Sequence, residues 1–315
     1  SVEGKVFVIT GTTSGTGFVA AKTVAEKGGV AVLLNRKSQR LTDSLAKLQE
    51  AVPGDGKFVS IECDLQDFAS VKKAAEEIKS KYKQIYCLAN NAGIMMTPDT
   101  ATKDGCDAQM QTNHLSHFIL AKELLPLLET EADANGDARI VQHSSGAREM
   151  TKNGLEQKYF EKNGGSLGGD TPVSFMGPPM HRYAQTKLAN SVLMYTLHGK
   201  LQANDTKSKV KSIACHPGGS STNLGDDFNS DLPFYERWII QILLKLFIQT
   251  AEDGTMGLLT GMMATDAQSG ILYGPKNGLY GPAVPNPPKD YETDPVAQKM
   301  LWDTSEATTG TTFTV

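Results

Sequence analysis

The start of the chain constrains its fold more than any other stretch. Residues 6–9, Val-Phe-Val-Ile, have the β-branched and aromatic character of a strand buried on both faces. Gly11, Gly15 and Gly17 follow at once, where that strand must turn sharply into a helix. Gly11 supplies dihedrals that a residue with a Cβ would resist, and Gly17 lets the helix lie close to the sheet. Between them, the amides around Thr13, Ser14 and Thr16 face outward at a helix N-terminus. Unpaired N–H groups and the macrodipole favour a phosphate there. Glycine-rich turns are common on their own. Between a strand pattern and a helix pattern at the head of an α/β chain, this one points to a dinucleotide.

Residues 30–34 read as a second buried strand, ending in Asn35, Arg36 and Lys37. An acidic residue at this place would bind both ribose hydroxyls of NAD. A basic end suits a 2′-phosphate instead, because a guanidinium can grip it with two hydrogen bonds. NADP(H) is therefore the expected coenzyme, with Arg36 a better candidate than Lys37. The bland alternative is a solvated charge run. Leu41, Leu45, Leu48 and Val52 predict an amphipathic helix over residues 38–52, stopped by Pro53 and Gly54. A third strand over 58–63 leads to Asp64 and Leu65. A helix from Asp67 carries Phe68, Val71, Ala75, Ile78 and Tyr82 on one face. The fourth strand, 85–89, runs into Asn90, Asn91, Ala92 and Gly93. This alternation predicts a doubly wound parallel sheet of the Rossmann type, one domain over residues 1–315, with its ligand at the strands' C-terminal edge.

A long helix is expected over residues 107–129. Asn113 in its interior is either a tolerated polar residue or an amide at work at a bend. His114 and His117 stand three apart with no third ligand in view, so no metal is expected. A fifth strand over 139–145 gives way to an irregular excursion over residues 146–180, rich in Gly, Pro, Asn and Lys. The next helix, 181–202, holds Tyr183 and Lys187, which share a face at this spacing. A fixed cation lowers a phenol from its usual pKa near 10 toward neutral proton exchange, although such pairs are common on helix surfaces. The sixth strand, 210–215, is followed by His216, Pro217, Gly218, Gly219 and Thr222. Only Gln241 and Lys245 interrupt the apolar run 238–248, far short of the ~20 residues that span a bilayer. Residues 231–250 are favoured as a lid over an apolar substrate, ahead of a core helix or an interfacial helix. A last strand over 269–274, a Pro-rich stretch over 281–288 and a short helix over 295–302 complete the expected elements.

The net charge of −4 and a pI near 5.9 give no reason to expect nucleic acid as a partner. Cys63, Cys87, Cys106 and Cys215 are scattered, without a zinc or disulfide pattern, and a reduced, cytoplasmic setting is expected. No signal peptide is visible.

Taken together, Thr10 to Gly17, Asn90 to Gly93, Ser145, Tyr183 to Lys187 and His216 to Gly218 resemble the motifs of the short-chain dehydrogenase/reductase family, in the family's order. Asn113 to Phe118, the excursion before Tyr183 and the ending Leu301-Trp302 with Ser305-Glu306 resemble its branch of retinol dehydrogenases, the WW-domain-containing oxidoreductase and protochlorophyllide reductases. Ser116 departs from it, standing where that branch usually has glycine. The resemblance implies hydride transfer between NADP(H) and an apolar alcohol or carbonyl. Tyr183 would then be the general acid or base, Lys187 would hold the nicotinamide ribose and lower the phenol's pKa, and Ser145 would bind the reacting oxygen. Ser145 is preferred over Ser144 because it aligns with the family's catalytic serine. Asn113 would hold a water that passes protons to Lys187. Asp64 and Leu65 would meet the adenine, Asn91 the nearby ribose, and Pro217 to Thr222 the carboxamide and diphosphate. The alternatives are a light-driven reductase and an idle NADP-binding scaffold. Against the first, Gly219 stands where light-driven members carry cysteine. A monomer or small homo-oligomer is expected, because the excursion obstructs a helix face through which many members form tetramers.

Overall fold

The computed structural model describes residues 1–151, 153–168, 177–203, 208–219 and 249–315. Its core is an eight-stranded sheet: β1 (Val6–Thr10), β2 (Val30–Asn35), β3 (Phe58–Glu62), β4 (Cys87–Asn90), β5 (Ala138–His143), β6 (Val210–Cys215), β7 (Leu272–Pro275) and β8 (Ala283–Asn286), in the order β3-β2-β1-β4-β5-β6-β7-β8. All neighbours are parallel except β7 and β8. The chain reverses direction across the sheet between β1 and β4. The Gly turn after β1 and the Asn90–Gly93 turn after β4 therefore open side by side, the place where doubly wound sheets bind ligands.

Helices cover both faces. On one lie α1 (Gly15–Glu26), α2 (Gln39–Ala51) and α7 (Ala251–Met263), burying Val24, Leu48, Leu258 and Met262 with Phe7, Ile9 and Leu33 of the strands. On the other, α3 (Phe68–Lys81), α5 (Ser116–Asn135), α6 (Pro178–Ala203) and α9 (Pro295–Thr309) pack over Val8, Leu88 and Ile140. Strands buried on both faces explain the near-continuous apolar runs of the sequence. Ser38 and Asp67, the residues with which the expected second and third helices began, cap α2 and α3 through their side chains.

Three elements differ from expectation. The Pro-rich stretch contains β8, which pairs antiparallel with β7, Tyr273 opposite Pro285. Proline cannot donate to a ladder, so it is tolerated on an edge strand such as this one. The long helix is not one regular element. Short α4 (Ala108–Met110) passes through a π segment (Gln111–Leu115) into α5, and Asn113 lies inside that bulge. The helix expected to end near residue 302 runs on to Thr309. It locks onto the π segment and α5, with His114 Nε2 3.0 Å from Ser305 Oγ and the Phe118 and Trp302 rings edge-to-face at 5.2 Å. The expected lid over 231–250 falls almost wholly outside the described residues, as does Thr222. Among the described residues, no helix is long and apolar enough to cross a membrane.

Candidate active site

The turn after β1 is shaped by close approach. Gly11 has φ +71°, and a Cβ there would lie 2.8 Å from Cα of Ala92. A Cβ on Gly17 would lie 2.2 Å from the Gly11 carbonyl oxygen and 2.5 Å from Nδ2 of Asn91. We expect Gly17→Ala to force the turn open and weaken coenzyme binding far more than it lowers the melting temperature. Fluorescence titration beside a thermal melt checks this, and unchanged coenzyme affinity would contradict it. Ser14 precedes α1 without a side-chain cap, and no acidic residue occupies the first turn. The first amides of α1 are thus open to an anion. Ser14 Oγ instead accepts from Arg40 Nη2 at 3.2 Å. Arg36 and Lys37 are exposed just beyond β2, and sequence reasoning missed Arg40, the second residue of the following helix.

One expected cofactor contact is turned inward. The Asn91 amide donates to the Thr10 carbonyl at 2.9 Å, and its oxygen accepts from Thr16 Oγ1 and faces His143 Nδ1, both at 2.8 Å. Asn91 therefore ties β1, α1 and β5 together, and its side chain is not free for a ribose. Asn35, at the end of β2, likewise closes on Thr12 at 2.9 and 2.7 Å. Asp64 and Leu65 stand where expected, beyond β3. The Leu65 carbonyl takes the Ser116 hydroxyl at 2.6 Å, so the serine in the place of glycine tethers α5 to this loop.

Tyr183 on α6 is 6% exposed. Ser145 follows β5; its hydroxyl accepts the Ala147 amide at 3.2 Å and is near enough to the Tyr183 phenol to lower its pKa. Ser144 is buried, with its hydroxyl on the Lys187 carbonyl at 2.7 Å. Lys187 Nζ donates to the His143 carbonyl at 3.0 Å and lies 5.6 Å from the Tyr183 ring centre. Burial pushes the phenol up to about 12, and the Ser145 hydrogen bond opposes it. Burial pulls Lys187 down to about 8. The expectation that Lys187 lowers the phenol is thus corrected for the chain alone, because burial outweighs an amine turned toward a backbone carbonyl.

The Asn113 side chain is fully engaged, accepting from Ile94 N at 2.8 Å and donating to Ile94 O and Thr186 Oγ1, each at 2.9 Å. Its backbone carbonyl meets His117 Nδ1 at 3.0 Å. Asn113 therefore fixes the segment after Gly93, where a Cβ would come within 3.2 Å of Lys187 Nζ. The two histidines are used apart, His114 on Ser305 and His117 on Thr10 Oγ1 at 2.9 Å.

Thr16, Asn91, Gly93, His143, Ser144, Tyr183, Lys187 and Pro217 line one cleft. Beside Pro217, Gly218 has φ +66°, and a Cβ there would strike the Leu279 carbonyl at 2.4 Å. The Gly219 amide donates to that carbonyl at 2.9 Å. Met96 and Met180 pack against Tyr183, with Met95, Ala147 and Met150 around them, an apolar wall that no sequence motif announced. A larger groove along α9, lined by Val296, Met300, Asp303 and Thr304, contains none of the expected site residues.

A family model described as short chain dehydrogenase matches residues 5–157. An uncharacterized oxidoreductase of Schizosaccharomyces pombe is 32% identical over 285 residues, covering 86% of this chain and 80% of its own. Human polyprenol dehydrogenase is 28% identical over 220 residues, 70% of this chain and 62% of its own. The crystal structure of an uncharacterized protein from Mycobacterium paratuberculosis superposes with a TM-score of 0.74 at 28% identity, covering 100% of this chain and 97% of that one. The chain belongs to the short-chain dehydrogenase/reductase family and is an NAD(P)-dependent oxidoreductase of that family.

Proposed function

We propose that the chain transfers a hydride between NADP(H) and an apolar carbonyl or alcohol, retinoid-, steroid- or otherwise lipid-like, with Tyr183 as general acid in reduction and general base in oxidation. The observation that carries this is that buried Tyr183 and the Lys187 amine line one cleft with Thr16 and Gly93 beside the Gly turn, with Ser145 close enough to the phenol to lower its pKa. The bound nicotinamide supplies or accepts the hydride. Ser145 binds the reacting oxygen and stabilises charge that develops on it. Tyr183, protonated at neutral pH because burial holds it near 12, is set to donate. Lys187 holds the nicotinamide ribose, and its positive charge there assists loss of the phenol proton in the oxidation direction. Asn113 acts by fixing Ile94 and the Gly93 turn. The open amides of α1 fit a pyrophosphate, and Pro217, Gly218 and Gly219 border the nicotinamide end.

The methionine wall beside Tyr183 supports an apolar substrate, since thioether side chains adapt to irregular apolar shapes. A relative named for a polyprenol points the same way. A monomer or small homo-oligomer fits the same account.

Arg36 and Arg40 carry the coenzyme preference, with Arg40 already at the mouth of the turn. A charge-assisted contact to phosphate is worth about 1.5 kcal/mol or more, roughly tenfold in affinity. Arg36→Asp is expected to reverse the preference, because it adds repulsion as well as removing attraction. Arg40→Ala should weaken NADPH roughly tenfold and NADH far less. Comparing kcat/KM with the two coenzymes for parent and variants tests this, and a parent that already prefers NADH contradicts it.

A further inference from the structure

The turn that carries Ser145 is anchored from the far end of the chain. Ser145 opens a short 3-10 helix (Gly146–Met150), and Arg148 within it is 2% exposed. Arg148 Nη1 donates to the Ser145 carbonyl at 3.2 Å, and its Nε donates to Glu292 Oε1 at 2.9 Å. Glu292 is fully buried on α8 (Asp290–Thr293), and its other oxygen accepts the Lys289 amide at 2.9 Å. Glu149, half-exposed, lies 3.1 Å from Arg148 Nη2. The turn and α8 both pack on α6, the helix of Tyr183.

A buried ion pair is poor evidence for stability, because desolvation can cancel the attraction. What such a pair does provide is direction. A guanidinium has a planar fork, and two acceptors on it fix the relative position of the elements that bear them. Here those acceptors are the backbone of Ser145 and the carboxylate of Glu292. Nothing in the proton and hydride chemistry uses either side chain directly.

We propose that Arg148 and Glu292 are positioning residues that hold Ser145 at the place beside Tyr183 where the reacting oxygen must bind. The proposal rests on Ser145 being the group that binds this oxygen. A double-mutant cycle between Ser145→Ala and Glu292→Gln tests it on the full chain, well below the melting temperature, with folding verified by circular dichroism. Glu292→Gln keeps the shape and the acceptor for Lys289 while removing the charge. It should lower kcat roughly 10- to 100-fold, since a misplacement of about 1 Å can cost about 100-fold. KM for NADPH should stay unchanged. In the Ser145→Ala background the same substitution should cost less than about twofold more, because coupled sites are not additive. Equal factors in both backgrounds would mark a purely structural pair and overturn the proposal. Full activity in Ser145→Ala alone would remove Ser145 from catalysis, and the positioning role with it. If Glu292→Gln fails to fold, Arg148→Lys, which retains the charge but not the fork, takes its place in the cycle under the same criteria.

Discussion

Tyr183→Phe is expected to lower kcat by about 100- to 10,000-fold, the usual contribution of a positioned general acid or base. Coenzyme affinity should be nearly unchanged. The ring that packs against Met96 and Met180 is retained, and only the phenol hydroxyl and its contact with Ser145 are lost. Lys187→Ala should behave differently, harming both turnover and coenzyme binding, because it deletes the amine held on the His143 carbonyl. The pH profile adds a sign. With the phenol held near 12 by burial, carbonyl reduction should be flat through neutral pH and fall only in strong base. Alcohol oxidation should rise with pH. More than a few per cent of parental kcat in Tyr183→Phe would end the acid–base assignment.

The second large effect is on stability in mild acid. His114, His117, His143 and His216 are buried, and burial pulls all four down from 6.5: His114 to about 3, His117 and His216 to about 4, His143 further still. Lys187 faces both His117 and His143 and opposes their protonation. In the unfolded chain each imidazole takes up a proton below about pH 6.5, whereas the folded chain resists. The unfolded state therefore binds more protons, so stability is fully present above that pH and is lost as the pH falls. The limiting slope is about 1.4 kcal/mol per pH unit for each histidine. Lys187 is charged in both states over this range and adds nothing to the slope. Denaturant titrations at pH 7, 6 and 5 should show steeply falling stability with uptake of several protons on unfolding. Constant stability over that range would show that the histidines are not buried as described.

The central sheet could be read from the sequence because parallel strands covered on both faces leave unbroken apolar runs, as at residues 6–9 and 30–34. The Gly turn was legible because close approach leaves few alternatives to glycine at positions 11 and 17. Other features depend on contacts that no local pattern encodes. β8 was hidden because Pro285 reads as a breaker, and only an edge position makes it acceptable. Arg40 was missed because it reaches back to Ser14 from inside the first turn of α2, while Arg36 and Lys37 sit in the motif window. Asn91 was assigned outward by resemblance, yet its amide is satisfied inside, by Thr10, Thr16 and His143. The two branch-like features at Asn113 to Phe118 and Leu301 to Glu306 proved to be one contact, His114 with Ser305 and Phe118 with Trp302. The methionine wall and the Arg148–Glu292 pair join segments far apart in the chain, so composition alone could not reveal them.

The most direct test is NADPH oxidation by the purified chain against retinoid, steroid, quinone and fatty-aldehyde carbonyls, with Tyr183→Phe alongside. The account predicts turnover of at least one bulky apolar carbonyl by the parent, weaker turnover with NADH, and almost none by the variant. Equal turnover by parent and variant, or no turnover by a parent that binds NADPH, would contradict it.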